Sequence, residues 1–346
     1  MVNKYIILFL LLFPLLVTSC AESKGGYKDT MTCPVDSLQS EMLNDSFMLA
    51  RPQKLFLADS LLIVADATCG DNLFYVFRAS DGSFLKGGGR RGEAPGEVLS
   101  FDKIHLDSQK RVAYWDMHKS KLIFYDIKEL LSDSVRYFTE TALNRGEVQN
   151  TSLLDVIPLE SGYLYNGNTA CHIGFYGTSN SVDAPLLPDI PSLEIARAIM
   201  NRSCLEVSPD GKLAVQSTLI GGVVRCYNLD SLRVKEKWLK LFFPPVYKVV
   251  EGANPTWITW KQESQMGFED LCVTNRYIYL LLNGKFAKDK PYANEILVMD
   301  WDGNVIKKYQ LDCDIKTMAV DESNGFVYGI TCGFDTEANI VRFPFD

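Results

Sequence analysis

The sequence of 346 residues is 47% hydrophobic and 23% charged, with 24 Gly and 14 Pro, a composition that excludes a disordered or collagen-like chain. Its 35 Lys and Arg against 43 Asp and Glu leave a net charge of −8. The chain therefore has no global positive field with which to hold a phosphate backbone, and nucleic acid is not an expected partner.

Lys4 precedes an apolar run from Tyr5 to Val17, shorter than the about 20 residues that a membrane-spanning helix needs. Residues 1–19 read as a signal peptide. The run closes on Leu16-Val17-Thr18-Ser19-Cys20, which looks like a bacterial lipobox, with small residues that fit the peptidase and a thiol that takes a diacylglycerol. Cleavage would leave Cys20 as the first residue of a lipoprotein. Palmitate-type acyl chains, each contributing ~0.8 kcal/mol per buried CH₂, would then hold it on a membrane. Residues 20–33 form the lipidated Cys and a polar tether. No Asp follows Cys20 directly to suggest inner-membrane retention, so the outer membrane is expected, on its periplasmic or its surface-exposed side.

Beyond the tether, residues 34–346 show almost no helical periodicity outside Leu193 to Met200; short β-type runs alternate with turn pairs. Asp81-Gly82, Asp230-Ser231 and Asp302-Gly303 each follow a run of aromatic and branched residues and signal hairpins. A second unit is an apolar strand, a polar turn and another apolar strand. Its first-strand ends align as Leu57, Leu106, Val156, Val207, Val273 and Val320, separated by 49, 50, 51, 66 and 47 residues. Six copies of a four-stranded unit predict an all-β fold, a six-bladed β-propeller of four-stranded antiparallel blades. The last unit has three strands before the chain ends, so a segment within 34–49 is expected to supply the fourth and close the ring as an N-terminal strand. The 66-residue gap, with Phe243-Pro244-Pro245 and Asn254-Pro255, predicts an insertion of roughly fifteen residues. Two β-sandwich domains are the rival architecture.

Four residues before each aligned position stand Gln53, Asp102, Ser152, Ser203, Glu269 and Lys316, all polar. They are expected to ring one mouth of the central channel, where they could bind a ligand or could be polar because strand starts meet solvent. Asp102 and Glu269 are the acidic pair of that ring, and two carboxylates fall short of the six to eight oxygens of a calcium shell. Trp257 and Trp260 in the insertion could stack on a sugar ring or could pin the insertion to the propeller. His105, His118 and His172 stand in no ligand spacing, and His105, inside an inner strand, reads as a packed or hydrogen-bonded ring. The eight cysteines after Cys20 form no CxxC, so neither a metal nor another cofactor is expected, and no disulfide pairing can be deduced.

The Gly-rich stretch from Gly87 to Glu97 precedes β-type sequence and lacks a Lys-Ser/Thr, so it is no phosphate loop. Its Arg91-Gly92-Glu93-Ala94-Pro95-Gly96-Glu97 resembles the basic-Gly-x-Gly-Pro-Gly-Glu loop of the six-bladed, TolB-like propeller lipoproteins of Bacteroides and its relatives. Ala94 departs from the family's Gly and would cost roughly 1 kcal/mol if the position needs positive φ. Arg90, Arg91, Glu93 and Glu97 either face a ligand or cap the connection between two blades. The resemblance implies a cell-envelope location and a propeller more than an activity. The expected function is a non-catalytic, monomeric binding module, anchored in a membrane by its lipid, for an envelope protein, peptide or glycan. The alternative is a propeller enzyme, a metal-assisted lactonase or a carbohydrate-active hydrolase or lyase.

Overall fold

A computed structural model describes residues 32–67, 72–100, 103–144, 153–167, 173–178, 203–250, 257–289, 292–332 and 337–345, with 181, 182, 192, 195 and 199. The expected signal peptide, Cys20 and most of the expected tether lie outside the described residues, as do Asp102, Ser152 and His172. Cys33–Asp346 forms one compact unit. Among the described residues no helix is long and apolar enough to cross a membrane.

Two N-terminal strands come first, β1 (Val35–Leu38) and β2 (Glu41–Leu49). The first blade is β3 (Pro52–Ala58), β4 (Leu61–Asp66), β5 (Phe74–Arg78) and β6 (Phe84–Gly88). The Gly-rich loop follows as a small parallel pair, β7 (Arg90–Arg91) and β8 (Glu97–Val98). The second blade is β9 (Ile104–Leu106), β10 (Val112–Asp116), β11 (Lys121–Tyr125) and β12 (Phe138–Ala142). Before β12 the short helix α1 (Ile127–Leu131) starts at Asp126, whose carboxylate accepts the amides of Lys128 and Glu129. The third blade is β13 (Leu153–Leu159), β14 (Gly162–Gly167), β15 (Ile173–Phe175) and β16 (Ser181–Val182).

The fourth blade is β17 (Ser203–Val207), β18 (Leu213–Thr218), β19 (Val223–Asp230) and β20 (Arg233–Leu241). The expected insertion is a hairpin, β21 (Lys248–Val250) and β22 (Trp257–Thr259). The fifth blade is β23 (Phe268–Val273), β24 (Tyr277–Leu282), β25 (Ala293–Asp300) and the first half of β26 (Val305–Asp321). The second half of β26 opens the sixth blade and pairs with β27 (Phe326–Thr331), which pairs with β28 (Ala338–Pro344). One 17-residue strand thus serves two neighbouring blades.

The sixth blade takes its outer strand from the N-terminus: β2 pairs antiparallel with β28, Glu41 opposite Arg342 and Asn44 opposite Ile340. This is the closure that the three-strand C-terminal unit requires. The sequence pattern did not anticipate β1, which adds to the outer edge of the fifth blade in parallel, Val35 opposite Lys308 and Leu38 opposite Leu311. Both strands cover edges that would otherwise expose unpaired amides.

Middle strands such as VAYWD of β10 and YIYLLL of β24 are buried over nearly their whole length because both faces of each blade pack on neighbours. They read as continuous apolar runs, not alternating ones. The core is accordingly split into inter-blade layers, with Phe74, Tyr114, Ile123 and Tyr125 between the first two blades and Leu55, Leu62, Phe77 and Tyr328 between the sixth and the first.

Strand register corrects one alignment. Leu159 pairs with Gly162 as Ala58 pairs with Leu61, so Pro158 stands at the level of Leu57 and Leu106. The inner strand of the third blade therefore ends two residues later than its apolar pattern indicates, and Leu154, not Ser152, occupies the equivalent start. A shift of two residues preserves the alternation of faces, which is why the pattern alone could not register it.

Candidate functional site

The inner strands β3, β9, β13, β17, β23 and the second half of β26 run in the same direction down the axis, so their ends and the following turns gather at one mouth. A cavity of about 760 Å³ opens there, lined at equivalent levels by Leu57, Leu106, Pro158, Val207, Val273 and Val320. Outside this apolar collar the turns contribute polar groups, among them Ser108, Glu160 and Asp210.

Three residues back along each strand lies a second layer of Lys54, Lys103, Asp155, Cys204, Asp270 and Thr317. Here the channel is crossed by charge. Lys54 Nζ donates to Asp270 Oδ1 at 2.7 Å and to the Leu271 carbonyl at 2.8 Å, and it reaches Glu206 Oε1 of the opposite blade at 2.8 Å. Asp270 Oδ2 accepts from Thr317 Oγ1 at 2.6 Å and from the Met318 amide at 2.9 Å. Thr317 Oγ1 in turn accepts the Leu55 amide at 2.9 Å. Blades five, six and one are thereby joined through buried polar atoms. Burial pulls the Lys54 ammonium down, but Asp270 and Glu206 outweigh it and hold its pKa well above the ordinary lysine range.

On the other side of the channel, His105 Nε2 lies 2.7 Å from Asp155 Oδ1, with Lys103 at 3.9 Å from the other oxygen. Burial works to raise the Asp155 carboxyl, yet the charges of His105 and Lys103 hold it below the usual carboxylate range. His105 is the hydrogen-bonded ring that its strand position suggested. Its partner Asp155 was not foreseen; it lies 50 residues away, one blade along, at a level that becomes visible only when the strands are aligned by register. Burial pushes the thiols of Cys204 and Cys272 up to about 12, which removes them as nucleophiles at neutral pH. All six described cysteines are free. Among the described residues no group of three His, Cys, Asp or Glu converges as metal ligands.

The described members of the predicted ring, Gln53, Ser203, Glu269 and Lys316, stand at the other end of the inner strands, at or near the strand starts. Gln53 is half-buried beside the bulge between Pro52 and Lys54. Ser203 is buried, its Oγ accepting from Gln216 Nε2 at 2.8 Å within its own blade. Asp102 and Ser152 lie outside the described residues, so the Asp102–Glu269 pair has no described geometry. Glu269 and Lys316 are brought together, and with them Trp260, as walls of a second cavity of about 260 Å³. Burial raises the Glu269 carboxyl above its ordinary range, against the lowering effect of a 3.0 Å hydrogen bond from Asn283 Nδ2 and of the Lys316 charge. Trp257 is not among the walls of this cavity.

The Gly-rich loop is a braced connection between the first two blades. Glu97 accepts the Ala94 amide at 3.0 Å, Lys119 Nζ donates to the carbonyls of Ala94 and Glu97, and Tyr125 Oη donates to the Gly96 carbonyl at 2.7 Å. Gly96 has φ +76, whereas Ala94 is not among the residues of positive φ. The departure at Ala94 therefore carries no backbone penalty. Arg90, Arg91 and Glu93 are exposed.

A family model of TolB-like 6-blade propeller-like proteins matches residues 32–323. The chain belongs to the TolB-like six-bladed propeller family. Its fold is shared with a member of the DUF4221 family from Bacteroides vulgatus, at 10% identity and TM-score 0.52 over 90% of this chain and 96% of that one. A Bacteroides fragilis protein inferred to be exported is 10% identical with TM-score 0.51, over 90% and 99% of the two chains. The WD40 repeats of RRP9 are similar at 9% identity and TM-score 0.52, over 89% and 97%. No curated protein matches the sequence.

Proposed function

We propose that this TolB-like propeller is a cell-envelope lipoprotein, anchored through Cys20, that binds a ligand or a partner's segment in its channel without transforming it. The 760 Å³ cavity carries the reading. It has the volume of a small-molecule or peptide side-chain site, with an apolar collar and a few polar groups at its rim. Its floor is committed to structure: Lys54 pairs with Asp270 and Glu206, and His105 is hydrogen-bonded to Asp155. Such a floor is rigid, and rigid pre-formed sites bind at low conformational cost. Location in the envelope is supported by the lipobox and by the exported character inferred for the Bacteroides fragilis protein of the same fold.

Two experiments test this. Cys20→Ala should abolish lipid labelling and move the protein out of the membrane fraction; a mutant that stays with membranes refutes the anchor. The purified protein should be screened by thermal shift against peptidoglycan fragments, envelope polysaccharides and peptides, alongside Val207→Trp, which fills the cavity. A ligand whose stabilisation disappears in Val207→Trp supports the channel reading. Ligands that stabilise both proteins equally remove it, and turnover of a lactone or a glycan would make the protein an enzyme.

A further inference from the structure

The insertion hairpin is held on the propeller by its alternation. In β22, Trp257 is 55% exposed, Ile258 is buried, and Trp260 just beyond the strand is 48% exposed. Ile258 packs with Ile220 and Val223 at the edge of the fourth blade. The base of the insertion is closed by the Lys261 amide donating to Ser264 Oγ at 2.7 Å and by Ser264 Oγ donating to the Val246 carbonyl at 2.5 Å. Trp260 is thereby fixed at the wall of the 260 Å³ cavity, whose other sides include Leu219, Met266 and Ile315.

Two opposite charges line this mostly apolar cavity, Glu269 half-buried and Lys316 exposed, and no hydrogen bond or ion pair joins them. Lys316 makes no ion pair with any described residue. Glu269 receives one hydrogen bond, from Asn283 to Oε1, and no described residue donates to Oε2. The gap between an ammonium and a carboxylate, with apolar surface beside it, is complementary to a molecule that carries one of each and an apolar side chain. A monosaccharide would press several hydroxyls against Leu219, Met266 and Ile315, where they would lose hydrogen bonds to water without replacement. A fatty acid would satisfy Lys316 and leave Glu269 against its tail. The volume corresponds to roughly eight or nine waters at ~30 Å³ each, enough for one residue-sized ligand.

We propose that this cavity binds a free α-amino acid with an apolar side chain, its carboxylate on Lys316, its ammonium on Glu269 and its side chain against Trp260, Met266 and Ile315. This site is separate from the channel cavity in position and in ligand chemistry, and either reading can fail without the other.

Thermal shift and calorimetry on the purified full-length protein test it with L-leucine, hexanoate, 3-methylbutylamine and galacturonate as probes. L-leucine should raise the melting temperature in a dose-dependent way, and hexanoate and the amine, each lacking one charge, should bind about tenfold more weakly or worse. Lys316→Met and Glu269→Gln should each weaken leucine binding by about tenfold with near-ultraviolet circular dichroism unchanged, while Lys128→Met on the exposed face of α1 should not. The proposal is overturned if ~10 mM leucine gives no shift, if binding survives both cavity substitutions, or if galacturonate binds more tightly than leucine.

Discussion

Lys54 of the first blade and Glu206 of the fourth meet at 2.8 Å across the axis of the ring. With six blades these two strands face each other, so the contact pins opposite sides of the channel, and the same ammonium holds Asp270 of the fifth blade at 2.7 Å. Removing it leaves two carboxylates close together in a largely buried site. Lys54→Met should therefore cost about 3 kcal/mol of stability in urea unfolding, a buried ion network losing most when one member is deleted. Because the folded-state value of Lys54 is raised, its contribution is fully present below pH 10.5 and is lost only as pH rises through the higher folded value. The difference between wild type and Lys54→Met should accordingly stay constant from neutral pH to 10.5 and shrink above it.

Glu269 has the opposite consequence at neutral pH. Burial raises its carboxyl, so the folded protein holds that proton more tightly than the unfolded chain. Stability from this group is complete below pH 4.5 and falls as pH rises through the raised value. Glu269→Gln keeps an oxygen for Asn283 and removes the charge. It should be more stable than wild type at pH 7 and indistinguishable from it below pH 4 in chemical denaturation, even though the substitution weakens the amino-acid site.

Ring closure rests on packing as well as pairing. Phe47 of β2 lies 4.8 Å from Tyr75, 5.1 Å from Phe77 and 4.7 Å from Phe84, which fastens the N-terminal strand to the first blade as it completes the sixth. Phe47→Ala should cost about 2 kcal/mol, below the 3–5 kcal/mol of a fully buried ring because this one is half-exposed. Protease sensitivity should rise at the segment 40–50 before it rises elsewhere; uniform sensitivity would mean that the strand does not open separately.

Two substitutions in the Gly-rich loop should have unequal effects. At Gly96, φ is +76 and a Cβ would stand 2.7 Å from the Phe138 ring. Gly96→Ala should lose more than about 1 kcal/mol, the backbone penalty alone, since the ring must also move. Ala94→Gly, which restores the family's residue, should lose a few tenths of a kcal/mol because Ala94 already occupies an ordinary conformation and Gly has more entropy to lose. A gain in melting temperature for Ala94→Gly would contradict the described backbone.

The blade count and the missing outer strand were legible because five of the six blades repeat a local pattern, an apolar inner strand closed by a turn with Asp or Asn, and because the last unit ends one strand short. The insertion was legible from the 66-residue gap. The candidate site was legible only in part. Glu269, Lys316 and Trp260 were each singled out, but that they share one cavity depends on the hairpin folding back so that Ile258 reaches the fourth blade. The channel cavity was placed by pattern at the strand starts, and the larger one lies where the strands end.

The amino-acid order by itself determined the six-bladed architecture and the N-terminal closure, since both depend on a local pattern that recurs along the chain and on a last unit one strand short. Only the tertiary structure decided which charges meet in the channel. Lys54 and Asp270 are 216 residues apart and His105 and Asp155 are 50 apart, and each pair exists because inner strands from different blades converge on one axis at a shared level. That level is set by strand register, and in the third blade register moves the chain by two residues, a slip that leaves the hydrophobic alternation unchanged and so leaves no mark in the sequence.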